Sequence, residues 1–301
     1  MIARGLQIAS LLVGTAVLAL ALSLVHNGGS ETAAFALAAA IVVGIHGVPL
    51  AIEFITGAIV DRSPAARIGP LALIRVWWGE TRRQFRVFMI DQPWRSRFSE
   101  PELVRDPQRP AVLLIHGYLC NRAMWRPWIA RLAAGRNIAT VNLEPAFGPI
   151  ERYADDIEQA VERLCAATGA RQVILVGHSM GGLAAREYLQ TRGAARVERL
   201  VTLASPHHGT VFAPFGHGAN ARQMRRDSSF IARLSATPCA VPVTCIATRS
   251  DNLVLPRSSA VLAGASEVWL DRVGHLAMTD DSRAFAALIA AIDRPRATAQ
   301  Q

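Results

Sequence analysis

The 301-residue chain contains no lysine, so all 32 of its basic residues are arginine. Against 23 acidic residues they give a formal net charge of +9. The arginines are scattered and interleaved with acids, and alanine is abundant. That is the pattern of a biased coding composition rather than of a selected basic stripe. No aromatic-basic groove or nucleic-acid motif is present, so nucleic acid is not expected as a partner. Attraction to anionic lipid headgroups is a better use for the local excess.

Cysteine is scarce as well. Cys120, Cys165, Cys239 and Cys245 are too few and too dispersed for a disulfide scaffold. None forms the C-x-x-C pair that would suggest a zinc knuckle or a thioredoxin-like centre. Cys239 and Cys245 are close enough to pair in an oxidising compartment; otherwise all four read as small buried hydrophobes. Charged residues make up only 18% of the chain and hydrophobic ones 51%, which excludes a disordered chain. From about residue 61 onward no apolar run reaches the ~18 residues a spanning helix needs, which excludes a polytopic transporter.

What the chain does have is an apolar N-terminus, and this accounts for its high mean hydropathy of +0.24. Residues 8–25 are an unbroken run of apolar and small residues. A polar turn from His26 to Thr32 follows, and then a second run, 33–60, interrupted only by His46, Pro49 and Glu53. At 1.5 Å per residue the first run just spans a hydrocarbon core of about 30 Å and the second exceeds it. So short a turn makes the two helices antiparallel, which predicts a transmembrane hairpin over 1–60. A cleaved signal peptide with Arg4 as its charged end is the competing reading, but it leaves the second run unexplained. Glu53 reads as a residue at the membrane interface. The turn carries no arginine, whereas Arg4 precedes the first helix and Arg62, Arg67 and Arg75 follow the second. By the positive-inside rule both ends lie in the cytoplasm, with the chain in a bacterial inner membrane and its large C-terminal part cytoplasmic.

Residues 61–108 form a basic and aromatic juxtamembrane linker. Trp77, Trp78, Phe85 and Phe88 alternate with Arg75, Arg82, Arg83 and Arg86, a composition suited to the headgroup zone. Their apolar positions do not fall on one helical stripe, so packing against the globular part is as good a reading as an interfacial helix. After Pro110 the pattern changes. Short apolar runs at 111–115, 138–143, 173–176, 200–204, 241–247 and 267–270 read as buried strands, with helical spacing at 150–167 and 180–191 between them. Such alternation predicts an α/β domain with a mostly parallel sheet covered by helices on both faces.

The chemistry concentrates at Gly177-His178-Ser179-Met180-Gly181-Gly182, a G-x-S-x-G motif that follows an apolar strand and opens a helix. At so sharp a turn only small residues fit on either side, and the serine Oγ is held above the sheet. Ser179 is therefore the candidate nucleophile. The helix beginning at Met180 turns backbone N–H groups toward a developing oxyanion. A serine needs a base, and the motif's usual chain order is serine, acid, histidine. His275, just after the last apparent strand and ahead of a final helical stretch, is the candidate base. His207 and His208 read as wall residues of a loop. Asp251, directly after the strand ending at Ala247, is the candidate acid that fixes the histidine tautomer; Asp271, Asp280 and Asp281 are its rivals and suit solvated positions better. The amides of Tyr118, past the first core strand at His116-Gly117, and of Met180 are the candidate oxyanion donors. His116 itself reads as a structural hydrogen-bonding residue.

Together His116-Gly117, the Ser179 motif, Pro206-His207-His208-Gly209-Thr210, Asp251 and His275 resemble the α/β-hydrolase family, with the nearest likeness to bacterial triacylglycerol lipases and related esterases. The Pro206 segment is a lipase-like detail, as is Gln223-Met224 followed by Ser228, Ser229 and Phe230. The likeness covers 109–294, leaving 1–60 and the tail 295–301 outside it. It implies an α/β-hydrolase fold preceded by two transmembrane helices, and hydrolysis of lipid or other apolar carboxylic esters through an acyl-serine, with no cofactor and no metal. A calcium site found in some lipases does not transfer, for want of a carboxylate cluster. Acyl transfer, or thioester or amide hydrolysis, would use the same triad, and a catalytically silent membrane partner protein is the reading from another class. Residues 211–234, aromatic and apolar among arginines, have the composition of a lid or a fixed cap over an acyl pocket.

Overall fold

A computed structural model describes residues 2–63 and 68–295. Arg67, one of the arginines that set the expected orientation, lies outside them, as does the expected tail apart from Pro295. Two long helices open the chain, α1 (Ile2–His26) and α2 (Glu31–Val60). Both are long and apolar enough to cross a membrane. The polar turn between them ends at Ser30, whose side chain accepts from Ala33 N and caps α2. Next come α3 (Pro70–Phe85), with proline at its permitted first position, a π-helical turn (Arg86–Asp91) and one turn of α4 (Gln92–Trp94).

The remainder is a six-stranded, wholly parallel sheet in the order β2-β1-β3-β4-β5-β6. Its strands are β1 (Ala111–Ile115), β2 (Asn137–Val141), β3 (Val173–His178), β4 (Val197–Leu203), β5 (Val243–Thr248) and β6 (Ser266–Leu270). Parallel neighbours need crossover connections, which the helices supply. Between strands run α5 (Arg126–Ala133), α6 (Tyr153–Thr168), α7 (Met180–Arg192), α8 (Ala219–Gln223) and α9 (Ser229–Ala236), with α10 (Ser282–Ile292) last. Side chains alternate across the sheet, and each face has its own core. Ala111, Leu113 and Ile115 pack with α6, α7 and α9, whereas Val112 and Leu114 pack with Trp128 and Leu132 of α5 and Leu288 of α10. Both faces being covered, the strands read as continuous apolar runs. Three of the cysteines are buried, none is in a disulfide, and burial pushes the Cys120 thiol up to about 12.

The N-terminal helices do not stand clear of this sheet. Gln7 Nε2 of α1 donates to Pro93 O at 2.7 Å. Trp77 Nε1 of α3 donates to Gly47 O of α2 at 2.7 Å, and a Cβ on Gly47 would meet that indole at 2.6 Å. At the far end of α2, Asp61 accepts from Arg257 N at 3.1 Å and pairs with its guanidinium at 3.5 Å. Arg83 of α3 is buried. It donates to Met124 O at 2.7 Å and to Thr279 Oγ1 at 2.9 Å, and lies 3.8 Å from the buried Asp91. Leu50, Phe54 and Gly57 of α2 are buried, while Leu71, Ile74 and Trp78 of α3 face outward. The stretch expected as a linker is thus packed against the domain on one face and apolar and exposed on the other.

Removing a buried, hydrogen-bonded cation strands its partners. Arg83→Ala should therefore cost about 3 kcal/mol, read as a fall of several degrees in the thermal unfolding midpoint of the detergent-solubilised protein. A midpoint within a degree of wild type would show that α3 is not anchored through Arg83.

Candidate active site

β3 runs straight into the turn that bears Ser179. This residue has φ 54° and ψ −126°, a left-handed conformation that costs a side-chain-bearing residue about 1–3 kcal/mol. The turn closes because its flanks are glycine. A Cβ on Gly177 would lie 2.5 Å from Gly182 N, and one on Gly181 would collide with the carbonyl oxygens of Ile115 and His116 at the end of β1. Ser179 N donates to Leu203 O of β4 at 2.8 Å, so the turn is tied to the neighbouring strand as well. On its other side is the loop after β1: a Cβ on Gly117 would be 2.9 Å from Ser179 Cβ. Tyr118, whose amide is one candidate oxyanion donor, is the next residue. Met180, the other, is the first residue of α7.

His275 lies on the loop after β6, and its Nδ1 faces both carboxylate oxygens of Asp251, at 3.1 and 3.2 Å. Both residues are buried. Asp251, just past β5, also accepts from Leu253 N and Val254 N at 2.8 Å each. Burial pushes its carboxyl up, but His275 and these two amides outweigh burial and hold it below the usual carboxylate range. His275 is the mirror case. Burial pushes the imidazole down, whereas Asp251 first, then Glu80 and Glu53, push harder and leave it above 6.5. With Nδ1–H directed at Asp251, Nε2 is the basic nitrogen. His275 and Ser179 line the same cavity, of about 310 Å³, with Leu50, Phe88, Phe212 and Met224 among its walls. The structure therefore brings Asp251 onto His275 and sets His275 and Ser179 around one cavity, with Gly117 and Tyr118 beside them. Asp271 and Asp281 instead pair with Arg249 and Arg283 at the surface, away from the imidazole.

The other histidines are structural by their contacts. His116 accepts from Leu143 N at 3.0 Å and donates to Gly117 O at 2.9 Å; burial pushes it down to about 4, so it is neutral. His207 is buried between Thr202 and Arg186, behind the cavity wall. Sequence reasoning passed over His178, the variable residue of the motif. Burial, with His275 next to it, pushes it down to about 3. As a neutral ring it donates from Nε2 to His275 O at 3.1 Å, with ring centroids 4.8 Å apart, and so supports the backbone of His275. It also missed Asn252, which accepts from His275 N at 3.0 Å. Nothing local marks either residue, because each meets His275 only through the fold. The 211–234 segment contributes Phe212, Phe215 and Met224 to the cavity. Phe230, Ile231 and Leu234 are buried in the core, and Asn220 donates to Ala146 O at 2.9 Å, which makes the segment a packed cap. Phe215, 85% exposed, marks the mouth.

Comparison with known proteins bears on the fold. Residues 110–238 match a family model described as alpha/beta hydrolase fold. The mature form of the Bacillus licheniformis lipase BlEst2 superposes with a TM-score of 0.57 over 64% of this chain and 96% of its own, at 18% identity. Aspergillus fumigatus lipase B gives 0.58 over 66% and 56%, at 17% identity. The chain has the α/β-hydrolase fold. By sequence the chain is 34% identical over 99 residues to a pimeloyl-[acyl-carrier protein] methyl ester esterase of Vibrio atlanticus, covering 33% of this chain and 37% of the relative. It is 44% identical over 55 residues to a triacylglycerol lipase of Pseudarthrobacter phenanthrenivorans, covering 18% and 17%. The matches thus span little more than a third of these relatives at most.

A base must be neutral to take a proton, so a histidine held above its ordinary value delays activation to higher pH. Labelling of Ser179 by a fluorophosphonate should rise through a midpoint above pH 6.5. Asp251→Asn should lower that midpoint and slow labelling by roughly 10⁴-fold through loss of the tautomer. Unchanged labelling in Asp251→Asn would remove Asp251 from the site.

Proposed function

We propose that this chain is a membrane-anchored serine carboxylester hydrolase acting on apolar acyl esters, with 109–294 as its catalytic domain, 61–108 as the joining segment and 1–60 as a transmembrane hairpin. The observation that carries the reading is a serine held in a strained strand-to-helix turn, sharing a largely apolar cavity with a histidine seated on a buried aspartate. In this mechanism Ser179 Oγ attacks the ester carbonyl as His275 Nε2 takes its proton. The carbonyl oxygen gathers charge toward the amides of Tyr118 and Met180, where the N-terminal end of α7 favours a negative group. His275 then gives the proton to the departing alcohol. Water, giving a proton to the same nitrogen, then attacks the acyl carbonyl; as the C–Oγ bond breaks, that proton passes from His275 to Ser179 Oγ and the acid leaves. Asp251 stays ionised throughout and steadies the imidazolium.

Support for an apolar acyl group comes from the Leu50, Phe88, Phe212, Met224 and Val254 walls of the cavity. The hairpin reading draws on two helices of sufficient length and apolar character, and on the exposed Ile52, Ile55 and Ile59 of α2 beside Leu71, Ile74 and Trp78 of α3. Arg4 on one side and Arg62 and Arg75 on the other favour cytoplasmic ends in a bacterial inner membrane. Membrane lipids are then the surroundings of the site, and lipid-like esters partition to its mouth.

The test is hydrolysis of p-nitrophenyl esters from acetate to palmitate by the detergent-solubilised full chain, with Ser179→Ala alongside. The expected result is activity that increases toward longer chains and falls at least about 10³-fold in the variant. Equal rates for wild type and variant at every length, with both proteins folded, would refute the hydrolase reading. Product carried onto an added alcohol in preference to water would redirect it to acyl transfer.

A further inference from the structure

The loop that carries His275 is held by the ends of β3 and β5, through His178, Thr248, Ser250 and Asn252, and also by side chains from outside the hydrolase sheet. Glu80, on α3, is 1% exposed. Its two carboxylate oxygens accept from Leu276 N at 2.7 Å and Ala277 N at 2.8 Å, the two amides that directly follow the base. Gly274, just before it, leaves the room: a Cβ there would collide with the Glu80 carboxylate. Among the described residues no ion pair neutralises Glu80; burial pushes its carboxyl up, while the two backbone amides and the facing His275 imidazole favour its charged form. Glu53, on α2, accepts from Asn252 Nδ2 at 2.6 Å. That bond sets which way the Asn252 amide points, and its Oδ1 accepts from His275 N at 3.0 Å. Both carboxylates reach across more than 190 residues of sequence to do this. Both also line the cavity that holds Ser179 and His275.

We propose that Glu80 and Glu53 are positioning residues for the base, so that α2 and α3 complete the active site as well as packing against it. The proposal rests on the hydrolase reading above. Glu80 grips the backbone after His275, and Glu53 grips the backbone at His275 through Asn252. The groups facing His275 are then Asp251 from the loop after β5, Glu80 from α3, Glu53 from α2, and neutral His178 and Ser179 from the end of β3. Removing a negative charge from this set makes the imidazolium less stable and the free base available at lower pH. Glutamine at position 80 can accept from only one of the two amides and turns a donor toward the other. At position 53, glutamine keeps an acceptor for Asn252 and leucine does not.

The experiment uses the full chain in detergent, with rates expressed per serine titrated by a fluorophosphonate. Misfolded protein therefore does not count. Glu80→Gln should lower kcat about tenfold and Glu80→Ala further, with KM changed less than about threefold, since a base displaced by a fraction of an ångström loses rate more than binding. The acid limb of kcat/KM should move to lower pH in both. Glu53→Leu should lower kcat and Glu53→Gln should restore most of it, and this pair carries the test if the Glu80 variants fold poorly. A purely structural role would lower stability and the number of titrated sites while leaving kcat per site within about twofold and the acid limb in place; that outcome overturns the proposal. Wild type that neither labels nor hydrolyses in a Ser179-dependent way would instead overturn the hydrolase reading itself.

Discussion

The site depends on how closely four pieces of backbone approach one another at the end of the central strands. β3, the first turn of α7, the end of β1 and the loop after it meet with no space for a methyl group at Gly177, Gly181 or Gly117. Ser179 sits at the apex of that turn, held at a backbone angle it would not adopt freely. Rigid strands on both sides bear that strain. The serine consequently has a fixed position from which the Asp251–His275 pair and the amides around Gly117 can be measured. Interiors this dense transmit small displacements instead of absorbing them, which is why the support of His275 matters as much as its identity.

Much of this was legible in the amino acids because it is encoded locally. Strand β1 coincides with its apolar run, and the helix after Ser179 begins at Met180 with Gly181 and Gly182 in its first turn. Where the limits differ, a particular contact explains it. The run expected to continue to Leu143 leaves the sheet at Val141, since the Leu143 amide turns to His116. The run expected from Val241 starts two residues later, because Pro242 lacks the N–H a ladder requires. Ser179 stands out by its motif, and Asp251 and His275, singled out by chain order, are brought together by the fold beside the same cavity.

The N-terminal third was the least legible, and the reason lies in α2. Its outward residues include Ile45, Val48, Ile52, Ile55 and Ile59, and its inward ones Gly47, Leu50, Phe54 and Gly57. A helix apolar on every side gives no stripe by which lipid contact could be told from protein contact. Glu53 within it reads as an interfacial residue, and Glu80 as one charge in a basic linker, until the fold sets them beside Asn252 and Leu276. The same holds for Arg83, one of several scattered arginines in the sequence but buried against Met124 and Thr279 in the fold.

On the proposed hairpin, the way α1 and α2 leave the domain sets its height above a membrane. Among the described residues, the side-chain hydrogen bonds of α1 to the domain come from Gln7 and Ser10, and the first contact of that kind along α2 falls at Gly47. Beyond these points each helix has roughly 16 residues before the connecting turn, about 24 Å at 1.5 Å per residue, against a hydrocarbon core of about 30 Å. The difference leaves nothing for a stalk. On the hairpin reading the domain rests on the lipid, its α2 and α3 flank partly sunk among the headgroups and the mouth at Phe215 close to the plane in which substrates diffuse. Encounter becomes a two-dimensional search, in which the relevant quantity is how many ester molecules lie in a given area of membrane rather than in a given volume of cytoplasm.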